Sequence, residues 1–244
     1  MKEHNERELT AEELLEIVGT GARPICFAED EHSYIWGFGS CFIMNVAGSV
    51  FVLTAKHVIE NQDAKYQHCR VLMLEGQVAL PFSECYTPNF PDRENQDEIE
   101  DFVLFRVDEQ LLYQESGLDL YSWDFVNRSC PTEMLKEGTQ ILLAGFPFQE
   151  NRYDWENEKI NEKLLIQVGY LSKSELGSGI YSFDAGPSDF SFNGLSGSPV
   201  FCRIDGYVNF IGVIIRGTSS SGKLHFIGSE LILEALIYIE DEKA

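Results

Sequence analysis

Two series of short runs rich in β-branched and aromatic residues constrain this chain more than any other feature. The first series comprises Pro24 to Phe27, Tyr34 to Phe38, Ser40 to Val46, Ser49 to Thr54, Cys69 to Leu74 and Phe102 to Val107. The second comprises Gln140 to Ala144, Leu164 to Leu171, Gly179 to Phe183, Pro199 to Ile204, Val208 to Arg216 and Leu224 to Ile227. Runs of this length and composition read as strands, and Asn45 to Gly48 and Asp205-Gly206 supply hairpin turns. Two groups of about six strands predict an all-β fold of two packed antiparallel six-stranded β-barrels. Residues 108–137 lose the pattern and read as a crossover linker. Thr10-Ala11-Glu12-Glu13 fits a capping box ahead of Leu14, Leu15, Ile17 and Val18, so a helix is expected over residues 10–18. A second helix is expected over residues 229–240, with Ser229 as N-cap. The predicted organisation is an N-terminal helical arm at 1–22 and one domain at 23–244. Within that domain, barrel one spans about 23–107, the linker 108–137, barrel two 138–228 and the terminal helix 229–240.

Three motifs carry chemistry. Gly194-Leu195-Ser196-Gly197-Ser198-Pro199 places a serine between glycines in a tight turn, and Thr54-Ala55-Lys56-His57-Val58 places a histidine at the end of an apolar strand. A serine hydroxyl is a poor nucleophile until a neutral imidazole takes its proton, and that imidazole needs a carboxylate to fix its tautomer. Asp101, which opens the apolar run Phe102-Val103-Leu104-Phe105, is the candidate acid. The chain order His57, Asp101, Ser196 separates this set from the α/β-hydrolase order, in which the acid and then the histidine follow the serine. His225, some thirty residues beyond Ser196, leaves too little chain for the rest of an α/β-hydrolase sheet.

Composition narrows the partners. Forty acidic against eighteen basic side chains leave a formal charge of −22, so nucleic acid, whose phosphates require a positive field, is not an expected partner. No stretch approaches the roughly 18 apolar residues that span a bilayer, so no membrane is expected either. The polar, acidic start Met1-Lys2-Glu3-His4 does not read as a secretory signal, and a soluble, cytoplasmic protein is the expectation. Six cysteines without C-x-x-C or metal-type spacing read as free, mostly buried thiols. The carboxylates at 97, 98, 100 and 101 lack the alternating ligands and glycine turn of a calcium loop, so neither metal nor cofactor is expected.

Over about residues 33 to 240 these motifs resemble the trypsin-like (chymotrypsin-fold) serine endopeptidases, especially the disulfide-free bacterial branch that includes the high-temperature-requirement proteases. Thr54-Ala55-Lys56-His57 is similar to the family's T-A-x-H turn, Asp101-Phe102-Val103-Leu104-Phe105 to its acid strand, and residues 194–199 to its G-x-S-G-[GS]-P loop. Gly145-Phe146-Pro147 and Gly212 to Gly217 are weaker matches. The resemblance implies that Ser196 attacks a peptide carbonyl, His57 serves as general base and then acid, and Asp101 orients His57. It implies an oxyanion hole from the backbone amides of Gly194 and Ser196. It also implies a primary pocket with its floor near Phe190 and rim near Asn193, and a substrate-pairing edge at Ile215-Arg216-Gly217. Secreted relatives bridge a cysteine at the place of Cys41 to one directly after the histidine, where this chain has Val58. Members activated by cleavage carry an acid before the nucleophile, where this chain has Leu195, so activity without zymogen cleavage is expected. Asp189 falls one position off an acidic pocket floor. Phe190 is expected to favour small or medium apolar residues before the cut, with Arg216, Lys223 or His225 as candidates to admit an acid.

The substrate expected is a protein or peptide. A catalytically silent pseudoprotease acting as a binding or regulatory module is the alternative in another class. The helix at 10–18 lies outside the family pattern and is a candidate docking element for a regulatory partner or a larger assembly, with packing against its own barrel as the competing expectation.

Overall fold

The computed structural model describes residues 10–29, 34–73, 78–91, 93–148, 152–154, 156, 159–161, 163–187 and 191–241. Strands β1 to β9 are Ala22–Phe27, Trp36–Val46, Ser49–Thr54, Cys69–Arg70, Leu72–Met73, Val78–Ala79, Phe82–Tyr86, Val103–Val107 and Trp123–Asp124. Strands β10 to β17 are Gln140–Gly145, Arg152–Asp154, Lys159–Asn161, Leu165–Lys173, Ile180–Asp184, Pro199–Ile204, Tyr207–Thr218 and Lys223–Gly228. Helices α1 to α5 are Ala11–Gly19, Lys56–Glu60, Gln96–Ile99, Glu109–Ser116 and Ser229–Asp241.

The second half is a closed barrel in the order β10-β13-β14-β17-β16-β15. The first half is a half-barrel in the order β4-β1-β2-β3-β8-β7, with β9 running parallel beside β2. It does not close among the described residues because β4 contributes only two paired positions and the chain then turns into the separate β5–β6 hairpin. Both hairpins expected from the sequence are present. Ala47 and Gly48, at φ 51° and 91°, join β2 to β3, and Asp205 and Gly206, at φ 50° and 82°, join β15 to β16. Left-handed φ at both central residues is what lets a two-residue turn follow the strand twist.

Besides the short α2 and α3, which the sequence reading did not anticipate, the helices depart from expectation in two further places. The stretch expected as linker contains α4, which Asp108 caps by accepting from the Leu111 amide at 2.9 Å and which Gly117 ends at φ 66°. Ser229 is not the cap of α5; its hydroxyl donates to the Cys130 carbonyl at 2.6 Å. Glu230, in the first turn, instead accepts from the Thr132 amide and the Tyr181 hydroxyl. Helix α1 has its capping box: the Glu13 amide donates to Thr10 Oγ1 at 3.2 Å, and the Thr10 amide donates to Glu13 Oε2 at 2.9 Å. Val18 is fully buried, with Leu14 and Ile17 packed beside it on the core.

One apolar cluster runs through both halves, and a separate one that includes Ile141, Phe183 and Ile214 fills the closed barrel. Phe42 of β2 stacks on Phe210 of β16 at 4.8 Å and meets Phe201 of β15 edge-on, while Trp123 closes on Phe201 at 5.0 Å. All six cysteines carry free thiols, and burial pushes those of Cys26, Cys69 and Cys202 up to about 12. Among the described residues no helix is long and apolar enough to cross a membrane.

Candidate active site

His57, Asp101 and Ser196 meet at the seam of the two halves. Strand β3 ends at Thr54, and His57 lies in the single turn α2 that follows it. Phe102 and Val103 are fully buried at the head of β8 and anchor Asp101 just outside it. Asp101 Oδ2 lies 2.8 Å from His57 Nδ1, and Oδ1 accepts the His57 backbone amide at 2.9 Å. A carboxylate can only accept, so Nδ1 carries the ring proton and Nε2 is left with its lone pair. That lone pair faces the Ser196 hydroxyl at 2.9 Å. The pair is mostly shielded: side-chain exposure is 28% for His57 and 14% for Asp101.

The serine turn is held by its carbonyls. The Asn193 carbonyl accepts the Phe148 amide at 2.8 Å, the Gly194 carbonyl accepts the Ser40 hydroxyl at 2.8 Å, and the Leu195 carbonyl accepts the Ser198 amide at 3.0 Å. The Ser196 carbonyl accepts the Ser40 amide at 3.0 Å. Carbonyl and N–H of one planar peptide point in opposite directions. Turning the Asn193 and Leu195 carbonyls onto Phe148 and Ser198 therefore turns the Gly194 and Ser196 amides the other way. Among the described residues these two amides have no partner. Gly194 and Gly197 sit at φ 90° and 87°, where a Cβ would come within 2.5 Å of the Phe148 nitrogen and 1.9 Å of the Ser40 carbonyl oxygen respectively. Only glycine fits at either place.

Ser40 is the site residue that motif reading did not single out. It is fully buried, its hydroxyl accepts from the Phe146 amide at 2.8 Å, and its carbonyl accepts the Thr54 hydroxyl at 2.7 Å. One residue of the first half thereby ties together β3, the Phe146 segment and both sides of the serine. Its only sequence signal is a small polar residue inside an apolar strand.

Beside Ser196 lies a cavity of about 500 Å³, whose lining includes Phe38, His57, Phe148, Asn193, Arg216 and Leu224. Of the expected substrate-binding residues, Asn193, Arg216 and Gly217 line it. Ile215 is buried and is the extra residue of a bulge between Ile214 and Arg216, and its carbonyl lies 3.5 Å from Ser196 Oγ. Phe190 and Asp189 lie outside the described residues. Past Val213, the last residue paired to β15, the end of β16 from Arg216 to Thr218 is paired only with β17 and is exposed on its other side. His225 turns away from the cavity to Ser174 and Ser182, with Nδ1 at 3.0 and 3.1 Å from their hydroxyls. Lys223 is not part of the cavity lining. A second cavity of about 350 Å³, between β7 and α5, contains none of His57, Asp101 and Ser196.

No family model matches the chain. No curated protein matches it either. Among solved structures it is similar to a thermostable serine protease from an extremophilic microorganism, at 14% identity, over 90% of this chain and 96% of that one, with a TM-score of 0.56. The likeness is one of fold.

Proposed function

We propose that the chain is a serine endopeptidase that hydrolyses peptide bonds through His57, Asp101 and Ser196. The observation that carries this reading is the unbroken relay from Asp101 through His57 to Ser196 Oγ. Ser196 Oγ adds to the scissile carbonyl while its proton passes to His57 Nε2, and the carboxylate of Asp101 stabilises the imidazolium. The negative charge that develops on the carbonyl oxygen is taken by the Gly194 and Ser196 amides. Collapse of the adduct breaks the C–N bond, with the proton on Nε2 passing to the leaving amine. Water, deprotonated by His57, then cleaves the acyl-enzyme.

A silent binding module on this scaffold would be expected to have a collapsed oxyanion loop or a filled cleft. The Asn193 carbonyl turned onto Phe148, the two amides without a partner among the described residues and the open cavity support the hydrolase instead. Activity without zymogen cleavage is supported by the full burial of Leu195 among apolar neighbours and by the place of Ile17, Val18 and Gly19 inside α1. The free thiols favour a reducing compartment, in keeping with the disulfide-free branch.

A fluorophosphonate probe tests the proposal. Uncleaved wild-type protein, checked by intact mass, is expected to gain one adduct on Ser196, and Ser196→Ala to gain none. Peptide hydrolysis should fall on the order of a millionfold in Ser196→Ala and about ten-thousandfold in Asp101→Asn, which upsets the imidazole tautomer. Folded wild-type protein that does not react would favour the binding module.

A further inference from the structure

The cleft is chemically unlike the rest of the molecule. In a chain with 40 acidic and 18 basic residues, the described residues lining the cavity beside Ser196 include no carboxylate and one fixed cation, Arg216. That guanidinium is about half exposed at the open end of β16, and among the described residues its one ion pair is with Glu98 of α3, a single Nη2–Oε1 contact at 3.4 Å. Arginine offers five N–H donors in a planar fork suited to two parallel bonds with a carboxylate. One long contact at the surface leaves most of that capacity unused, and such exposed pairs stabilise weakly. Glu98, which is not part of the cavity lining, therefore holds the cation loosely.

We infer that Arg216 selects a carboxylate side chain on the second substrate residue ahead of the cleaved bond, and that Glu98 occupies that carboxylate's place in the free enzyme. The inference rests on the hydrolase reading of Ser196. The position follows from the strand geometry. A peptide pairing antiparallel with the free edge at Arg216–Thr218 has its scissile carbonyl at Ser196, beside the Ile215 carbonyl. The residue that carries the carbonyl then lies level with Ile215, and the residue before it lies level with Arg216. Directly opposed residues of an antiparallel pair place their side chains on the same face. An Asp or Glu at that position meets the guanidinium in the bidentate geometry that Glu98 lacks.

The test is a digest of a randomised decapeptide library read by mass spectrometry, followed by rates on matched peptides with Glu, Gln or Lys at the second position before the cut. For wild-type protein, kcat/KM for the Glu peptide should exceed that for the Gln peptide by roughly tenfold at low salt, the scale of a charge-assisted pair, and the ratio should shrink as salt rises. Arg216→Gln, at a half-exposed site and checked for fold by near-UV circular dichroism, should bring the ratio close to one. Arg216→Glu should reverse the order in favour of Lys. Glu98→Gln should widen the wild-type ratio, because the competing carboxylate is gone. A ratio near one in wild-type protein, or a preference that survives in Arg216→Gln, would overturn the selection and leave the hydrolase reading standing. Fluorophosphonate labelling without cleavage of any acid-bearing peptide would do the same. Wild-type protein that neither labels nor cleaves would overturn the hydrolase reading and the selection with it.

Discussion

Ser40 links the two halves of the site at a single hydroxyl. Its oxygen accepts from the Phe146 amide and donates to the Gly194 carbonyl, so it fixes the peptide between Gly194 and Leu195 without touching substrate. Ser40→Ala removes both bonds in a fully buried setting and leaves the Phe146 amide unpaired, at a cost of about 1–3 kcal/mol. Because the Gly194–Leu195 peptide that Ser40 holds lies between the two amides that meet the transition state, kcat is expected to fall roughly tenfold or more with KM little changed. Ser40→Thr, which keeps the hydroxyl, should restore part of the loss. The measurement is steady-state kinetics beside melting temperature. If kcat stays at the wild-type value while stability drops, Ser40 is only a structural residue. His57, Asp101 and Ser196 were legible in the sequence because each sits in a motif whose residue types the chemistry demands. Ser40 and Glu98 were not, because their roles arise from contacts with residues 154 and 118 positions away.

At the scale of elements, the strands of the second barrel were the most legible, since the Asp205-Gly206 hairpin signal and the apolar runs agree there. Pro199–Ile204 was read with the bounds the structure has. Strand β7 escaped notice because Phe82-Ser83-Glu84-Cys85-Tyr86 is an outer edge with mostly exposed residues, so burial imposed no alternation on it. Helix α4 escaped because its apolar face is short, with Leu112 as its one buried residue, although Asp108 and Gly117 were the available cap signals. The bulge at Ile215 was also out of reach, for it depends on how β17 registers against β16. Strand β17 carries a pH-sensitive feature. Burial first, then the charges of Arg216 and Lys223, hold the His225 imidazole below its ordinary 6.5, with Glu175 opposing them. Its Nδ1 faces the hydroxyls of Ser174 and Ser182. The unfolded chain takes up a proton near 6.5 and the folded chain only at lower pH. Between those two values the unfolded state binds more protons, so stability falls as the solution is acidified, and above 6.5 the term is constant. Melting temperatures of wild-type protein and His225→Gln from pH 8 to pH 5.5 should converge below pH 6.5. A wild-type protein that gains on the variant in acid would contradict this.

For the whole molecule, the decisive fact is that the relay crosses the seam. His57 and Asp101 come from the half-barrel and Ser196 from the closed barrel, so a separation of even an ångström between halves breaks the 2.9 Å contact on which proton transfer depends. What holds the seam is apolar: Phe42 of β2 stacked on Phe210 and set edge-on to Phe201, with Trp123 packed behind. Phe42, Phe201 and Phe210 are fully buried. Among the described residues the half-barrel does not close on itself, and it shares this core with its neighbour, so it has little reason to be stable alone. The chain should therefore unfold in one step rather than two. Phe42→Ala empties the centre of the seam and is expected to cost about 3–5 kcal/mol, the range for truncating a buried phenylalanine. Phe42→Leu, which refills much of the volume, should cost clearly less. In guanidinium titrations, tryptophan fluorescence and fluorophosphonate labelling of Ser196 should have the same midpoint in wild-type protein and shift together in both variants. Labelling lost well before the fluorescence change would mean that the halves part before either unfolds. The seam would then be a joint between two independently stable units, contrary to the shared core.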